Sequence, residues 1–151
     1  MKNQNLILEQ VDRQLKPFSG LKEATPVSGW LETIRIALKI TLKQLGQRLM
    51  ISAPSVKEME KREKKGNITL SSLKKYAQAM DMHFVYGFIP KDGSLGKMIE
   101  NKALEKARQI VTRSAQTMEL EEQAVSKEQL KKTVTEKQEE IIREMPKYLW
   151  D

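Results

Sequence analysis

The stretch from Thr41 to Arg62 constrains the fold more than any other part of the chain. Two short amphipathic runs stand three residues apart, and each opens on a hydroxyl side chain placed to cap a helix. Thr41, with Gln44 three residues on, is a capping-box pattern for a helix reaching Leu49. Ser52 caps a second helix, Pro54 fits its first turn where a missing N–H does no harm, and the run extends to about Arg62. Met50-Ile51-Ser52 leaves room only for a sharp turn. The two helices are expected to pack across it through Leu45, Leu49, Ile51 and Val56, with Gly46 small enough to let the second helix come close. Glu60 is expected to be structural, reaching Arg48 or a helix terminus.

Charge collects on the same stretch. The chain has 151 residues and a net charge of +7. Residues 1–90 hold 15 Lys and Arg against 8 Asp and Glu, whereas residues 91–151 hold 12 of each. The window from Arg35 to Lys75 alone carries 11 basic and 3 acidic residues. A concentrated positive field implies a polyanionic partner, and nucleic acid comes first.

Around this core the periodicity is mostly helical. Leu8, Val11 and Leu15 mark a short N-terminal helix, and Pro17, Gly20, Pro26 and Gly29 a linker, so that 1–29 is an N-terminal helix and linker. Trp30, Leu31, Ile34 and Leu38 open the next helix, with Ser28 as its cap and Trp30 in the core. Gly66-Asn67 ends the second helix of the pair, and Thr69 or Ser71 opens a further one carrying Leu70, Leu73, Ala77 and Met80. These elements make a domain over 30–81. Phe84-Val85-Tyr86-Gly87-Phe88-Ile89, closed by Pro90, is β-branched and aromatic and is read as one short strand within 82–90. Region 91–151 is read as helical: a helix over about 95–120 with Ile99, Ala103, Ala107, Ile110 and Met118 inward, then one capped by Ser126 with Gln129, striped by Leu130, Val134 and Ile141 and stopped by Pro146. The expected fold class is mainly α, a helical bundle with one short β-strand and two C-terminal helices.

Several functions are excluded by what is absent from the sequence. There is no cysteine and only one histidine, so neither a thiolate metal site nor a His-based catalytic set can be assembled, and no nucleophile–base pair or phosphate loop is present. No catalytic residue, metal or cofactor is expected, and the chain does not read as an enzyme. No apolar run approaches the ~20 residues of a membrane span. Leu6-Ile7-Leu8 is followed at once by Glu9, Gln10 and Asp12, unlike a secretory signal. A cytoplasmic protein without membrane contact is expected.

The stretch "ITLKQLGQRLMISAPSVKEMEKREKKGNITLSSLKKYAQAMDM" resembles the Xre/Cro-type helix-turn-helix family. The resemblance is carried by Thr41-Leu42-x-x-Leu45, Gly46, Ser55-Val56-x-x-x-Glu60, Gly66, and Leu70-x-x-Leu73-x-x-x-Ala77. It departs from the family at Met50, where Gly or a polar residue is usual, and at Glu63-Lys64-Lys65, which lengthens the recognition helix. The segment from Trp30 to Pro90, with "SLGKMIENKALEKARQIV" after it, is similar to the mobile mystery protein A group. That narrower resemblance implies an antitoxin whose neighbouring gene encodes a Fic-domain toxin.

The resemblance implies a transcriptional regulator that reads DNA with its second helix in the major groove. Base-edge contacts are expected from Ser52, Ala53, Ser55, Lys57 and Glu58: Lys57 suits guanine O6/N7, Glu58 cytosine N4, and Ala53 a thymine methyl. Glu58 as a mere salt-bridge partner of Lys61 or Arg62 stays open beside this. Phosphate contacts are expected from Thr41, Lys43, Gln44, Lys61, Arg62, Lys64, Lys65 and Asn67, which position the protein without reading sequence. The strand, through Phe84, Tyr86 and Phe88, is expected to join two subunits on a palindromic double-stranded operator, with packing as an arm across its own helices as the alternative. The expected function is a dimeric autorepressor and antitoxin of a Fic-type pair. The alternative is an antitoxin or scaffold that binds its partner without recognising DNA sequence.

Overall fold

Most helix ends are closed by groups within a few residues, a side-chain cap at the start and a residue at positive φ at the end. The computed structural model describes residues 2–21, 25–120 and 126–151, and residues 22–24 of the expected linker lie outside it. Among the described residues the helices are α1 (Lys2–Leu15), α2 (Trp30–Ala37), α3 (Leu42–Leu49), α4 (Ala53–Lys65), α5 (Leu70–Ala79), α6 (Leu95–Leu120) and α7 (Lys127–Glu144). Single 3-10 turns follow at Lys16–Phe18 and Lys147–Trp150. The chain divides into two units, Leu21–Tyr86 on one side and Met1–Gly20 with Gly87–Asp151 on the other.

In the unit Leu21–Tyr86, Thr41, Ser52 and Thr69 cap α3, α4 and α5 through their side-chain oxygens. The Thr41–Gln44 pair forms both halves of a capping box. At the other ends, α2, α3, α4 and α5 all close in the same way, with a residue at positive φ followed by a backbone bond back across the last turn. Only α4 uses glycine there, at Gly66; the others use Lys39, Met50 and Asp81. At the end of α3, Met50 sits at φ 59° and ψ 38°, and the Ile51 N–H donates to the Gly46 carbonyl at 2.9 Å.

A side chain in this region of backbone space costs about 1–2 kcal/mol. Met50 is 90% exposed and gains little packing in return. Met50→Gly is therefore expected to stabilise this unit by about 0.5–1 kcal/mol, the remainder being lost to the unfolded-state entropy of glycine. A rise of a few degrees in the thermal midpoint checks it.

Leu31, Leu45, Val56, Tyr76 and Met80 form the core of this unit, with α3 packed on α4 and α5 and α2 packed on α4. Several sequence expectations are corrected here. Trp30 is 48% exposed, because α2 turns Leu31 and Arg35 inward instead. Ser28 does not cap α2; Gly29 stands at the cap position without a side-chain bond. Leu70 and Ile51 are exposed, the first because α5 buries Tyr76 and Ala77.

The short strand is also corrected. Among the described residues there is no β-strand, and residues 82–90 carry neither helix nor strand. A strand needs a second one to satisfy its backbone, and β-branched and aromatic composition reports only suitability for a pleated, half-buried surface. With no second strand to pair with, the segment is an extended connector. Within it, the rings of Phe84 and Tyr86 stack with centroids 6.0 Å apart.

In the other unit α6 and α7 form an antiparallel pair around Ile99, Ala103, Ala107, Ile141 and Leu149, with Leu8 of α1 packed against them. The carboxylate of Asp12 in α1 accepts the Leu95 and Gly96 N–H groups at 2.7 and 3.1 Å, closing the N-terminus of α6. Ser126 and Gln129 form the expected capping box of α7. Met118, expected inward, is exposed near the end of α6. The terminal Leu149 is fully buried while Trp150 stays exposed.

Candidate nucleic-acid interface

α4 is held by its buried face, and that anchorage decides which of its side chains remain available. Val56 and Glu60 lie one turn apart and are fully enclosed. The Glu60 carboxylate accepts from Arg35 twice, Nε at 2.5 Å and Nη2 at 3.3 Å, and from the Tyr76 hydroxyl at 2.7 Å. Arg35 Nη1 also donates to the Ile40 carbonyl at 3.1 Å. Glu60 is thus structural as expected, but its partner is Arg35 and not Arg48, which donates to the Ala79 carbonyl at 2.9 Å. The hydrogen bond to Glu60 raises the Arg35 pKa, and burial pushes the Tyr76 hydroxyl far above its ordinary value, so Arg35 stays a cation and Tyr76 a neutral donor.

Glu63 serves α2. Its carboxylate accepts the Leu31 N–H at 3.1 Å, supplying the cap that Ser28 does not. Burial raises its pKa, against the pull of the Leu31 and Trp30 backbone groups. The notable feature is Glu32 in the first turn of α2: it pairs with Lys57 at 3.0 Å and, more tightly, with Lys64. These two hydrogen bonds, that of Lys64 first, hold its carboxyl at about 2, well below the ordinary 4.5.

A group whose folded pKa is lowered contributes stability above its unfolded pKa and loses it as pH falls through the folded value. The thermal midpoint of this unit is therefore expected to fall between pH 4.5 and 2, and Glu32→Gln to shrink that fall. Melting curves of both proteins across this window check it. Glu63 works in the opposite sense, so wild type and variant must be compared at each pH.

The two ion pairs set the composition of the exposed face. Of the expected base readers, Ser55 and Glu58 point outward from α4 and Ser52 is exposed at its start, but Ser52 accepts the Ser55 N–H at 3.2 Å as the cap. Ala53 is half-buried. Lys57 is turned to the α2 flank and away from the outward stripe. Glu58 lies 3.8 Å from Arg62, one turn on. Among the expected phosphate contacts, Lys43, Lys61, Arg62, Lys64, Lys65 and Asn67 are all exposed, but Lys64 is paired with Glu32. Thr41 and Gln44 are exposed but spend their side chains on each other's backbone N–H, at 3.1 and 2.9 Å.

The sequence pattern did not reveal Arg35, Glu32 or Glu63. Each acts on residues some 25 or more positions away, beyond any local period. The one available signal was an arginine and a glutamate in otherwise apolar stripes, since buried charges require partners.

Gly46 shows how closely α3 and α4 meet. A Cβ there would lie 2.6 Å from the Ile51 carbonyl oxygen and 3.4 Å from the Ala53 nitrogen. Two helices joined by a three-residue turn, the first sitting against the second and the second showing a polar, basic outer face, define a helix-turn-helix unit. Residues 31–86 match the family model described as Helix-turn-helix. No curated protein and no solved structure matches the chain. Among the described residues, no group of three or more His, Cys, Asp or Glu side chains is placed to hold a metal ion, and no helix is long and apolar enough to cross a membrane.

Proposed function

We propose that the chain is a sequence-specific DNA-binding transcriptional regulator that lays α4 in the major groove. One observation carries this reading: α4 buries Val56 and Glu60 while leaving Ser55, Glu58, Lys61, Arg62 and Lys65 exposed, and Lys43 of α3 is exposed as well. Ser55 and Glu58 are the base readers on this account; Lys43, Lys61, Arg62 and Lys65 hold phosphates. The protein acts as a dimer on a palindromic site, with recognition helices about 34 Å apart. The subunits meet through Phe84, Tyr86 and Phe88 by side-chain contact, since Tyr86 and Phe88 stand exposed on the connector. The α6–α7 unit, whose stretch 91–151 has no net charge, holds a protein partner; the resemblance to the mobile mystery protein A group makes that partner a Fic-domain toxin and the regulator an autorepressing antitoxin.

Four phosphate contacts per subunit predict a slope of about −7 for a dimer in log K against log salt. Anisotropy titrations on a duplex from the protein's own promoter check it, and a flat response removes the reading. Glu58→Ala is expected to relax preference at one base pair, and Lys65→Ala to weaken all sequences alike while flattening the slope by about 1 per subunit.

A further inference from the structure

Lys57 and Lys64 are two turns apart on one flank of α4, and Glu32 reaches both. The Glu32 side chain is 14% exposed against 38% for Lys57 and 36% for Lys64, so a carboxylate set into the surface draws two lysines down against it. Its place in the first turn of α2 suits a negative charge at a helix N-terminus. By contrast, Lys43, Lys61 and Lys65 have no acidic partner among the described residues. An ammonium already paired to a carboxylate must leave it before meeting a phosphate. Such an exchange trades one anion for another and yields little of the counterion release that drives sequence-independent binding.

We infer that Glu32 is a specificity-determining residue: by holding Lys57 and Lys64 against α2 it removes two cations from the DNA-facing field and suppresses binding to arbitrary sequence. This rests on the DNA-binding reading above. Base-edge contacts by Ser55 and Glu58 are untouched by it, so the ratio of specific to non-specific affinity rises.

The test is anisotropy of the full-length protein on an arbitrary-sequence duplex between about 50 and 200 mM salt. Wild type, Glu32→Gln and Asp81→Asn are compared. Asp81→Asn makes the same change in net charge at an exposed site whose neighbour Arg48 stays bound to the Ala79 carbonyl. Glu32→Gln is expected to steepen the slope by about 1–2 per subunit, the yield of one or two freed cations, and Asp81→Asn by far less. Equal slopes for the two variants overturn the inference and leave the DNA-binding reading standing. A wild type with no salt-dependent binding overturns both. Where Glu32→Gln fails to fold, the Lys57→Gln/Lys64→Gln protein decides: an unchanged slope supports sequestration, and one flattened by about 1–2 per subunit shows that these lysines are phosphate anchors and overturns it.

Discussion

Glu60→Ala is expected to destabilise the helix-turn-helix unit by about 3–5 kcal/mol, much of the stability a domain of this size has. The carboxylate is 1% exposed and, among the described residues, is the only acid paired with Arg35, itself 9% exposed. Its removal leaves a guanidinium without a counter-charge away from water and takes the 2.7 Å acceptor from the Tyr76 hydroxyl. Replacing the Arg35–Glu60 pair together, as Arg35→Met with Glu60→Leu, is expected to recover most of the loss, since the penalty comes from an unpaired buried charge more than from a missing attraction. Urea unfolding followed by far-UV circular dichroism measures both. A Glu60→Ala protein within about 1 kcal/mol of wild type contradicts the buried pair.

Gly46→Val is the second large effect, expected at about 3 kcal/mol. The obstruction is the Ile51 carbonyl, 2.6 Å from where a Cβ would stand. That carbonyl belongs to the turn, so it moves only if α3 and α4 separate. Leu45 and Val56, both fully buried, then lose their contact. DNA affinity is expected to fall about tenfold or more even at temperatures where the variant is folded, because the outer face of α4 is displaced relative to α3. Gly46→Ala tests the same clash more gently, since alanine regains about 1 kcal/mol of helix propensity. A Gly46→Val protein that melts with wild type contradicts the close approach.

Local chemistry was legible where both partners lie within one turn. Thr41 with Gln44, Ser52, and Ser126 with Gln129 cap the helices that their spacing predicts, and of the two candidates Thr69 and Ser71 it is Thr69 that caps α5. Gly46 was read as a place of close approach from size alone. Failures came where burial decides. Trp30 looked like core on its apolar neighbours, yet the register of α2 turns Leu31 and Arg35 inward. The 84–89 segment has the composition of a strand without a second strand to pair with.

Residue order alone placed the starts of α3, α4, α5 and α7 and the stretch where positive charge gathers, because these caps reach only three residues and formal charge needs no geometry; the starts of α2 and α6 draw on Glu63 and Asp12, 32 and 83 positions away. Which charges remain available was decided by the tertiary structure alone. Glu32 draws in Lys57 and Lys64, Glu60 closes on Arg35 and Tyr76, and Asp12 closes the start of α6, each across a separation that no period in the sequence encodes. An ion pair or a buried carboxylate depends on what folding brings within about 4 Å and what it removes from water. The run of lysines in the sequence therefore becomes, in the fold, a set with no acidic partner among the described residues and a set already paired with Glu32.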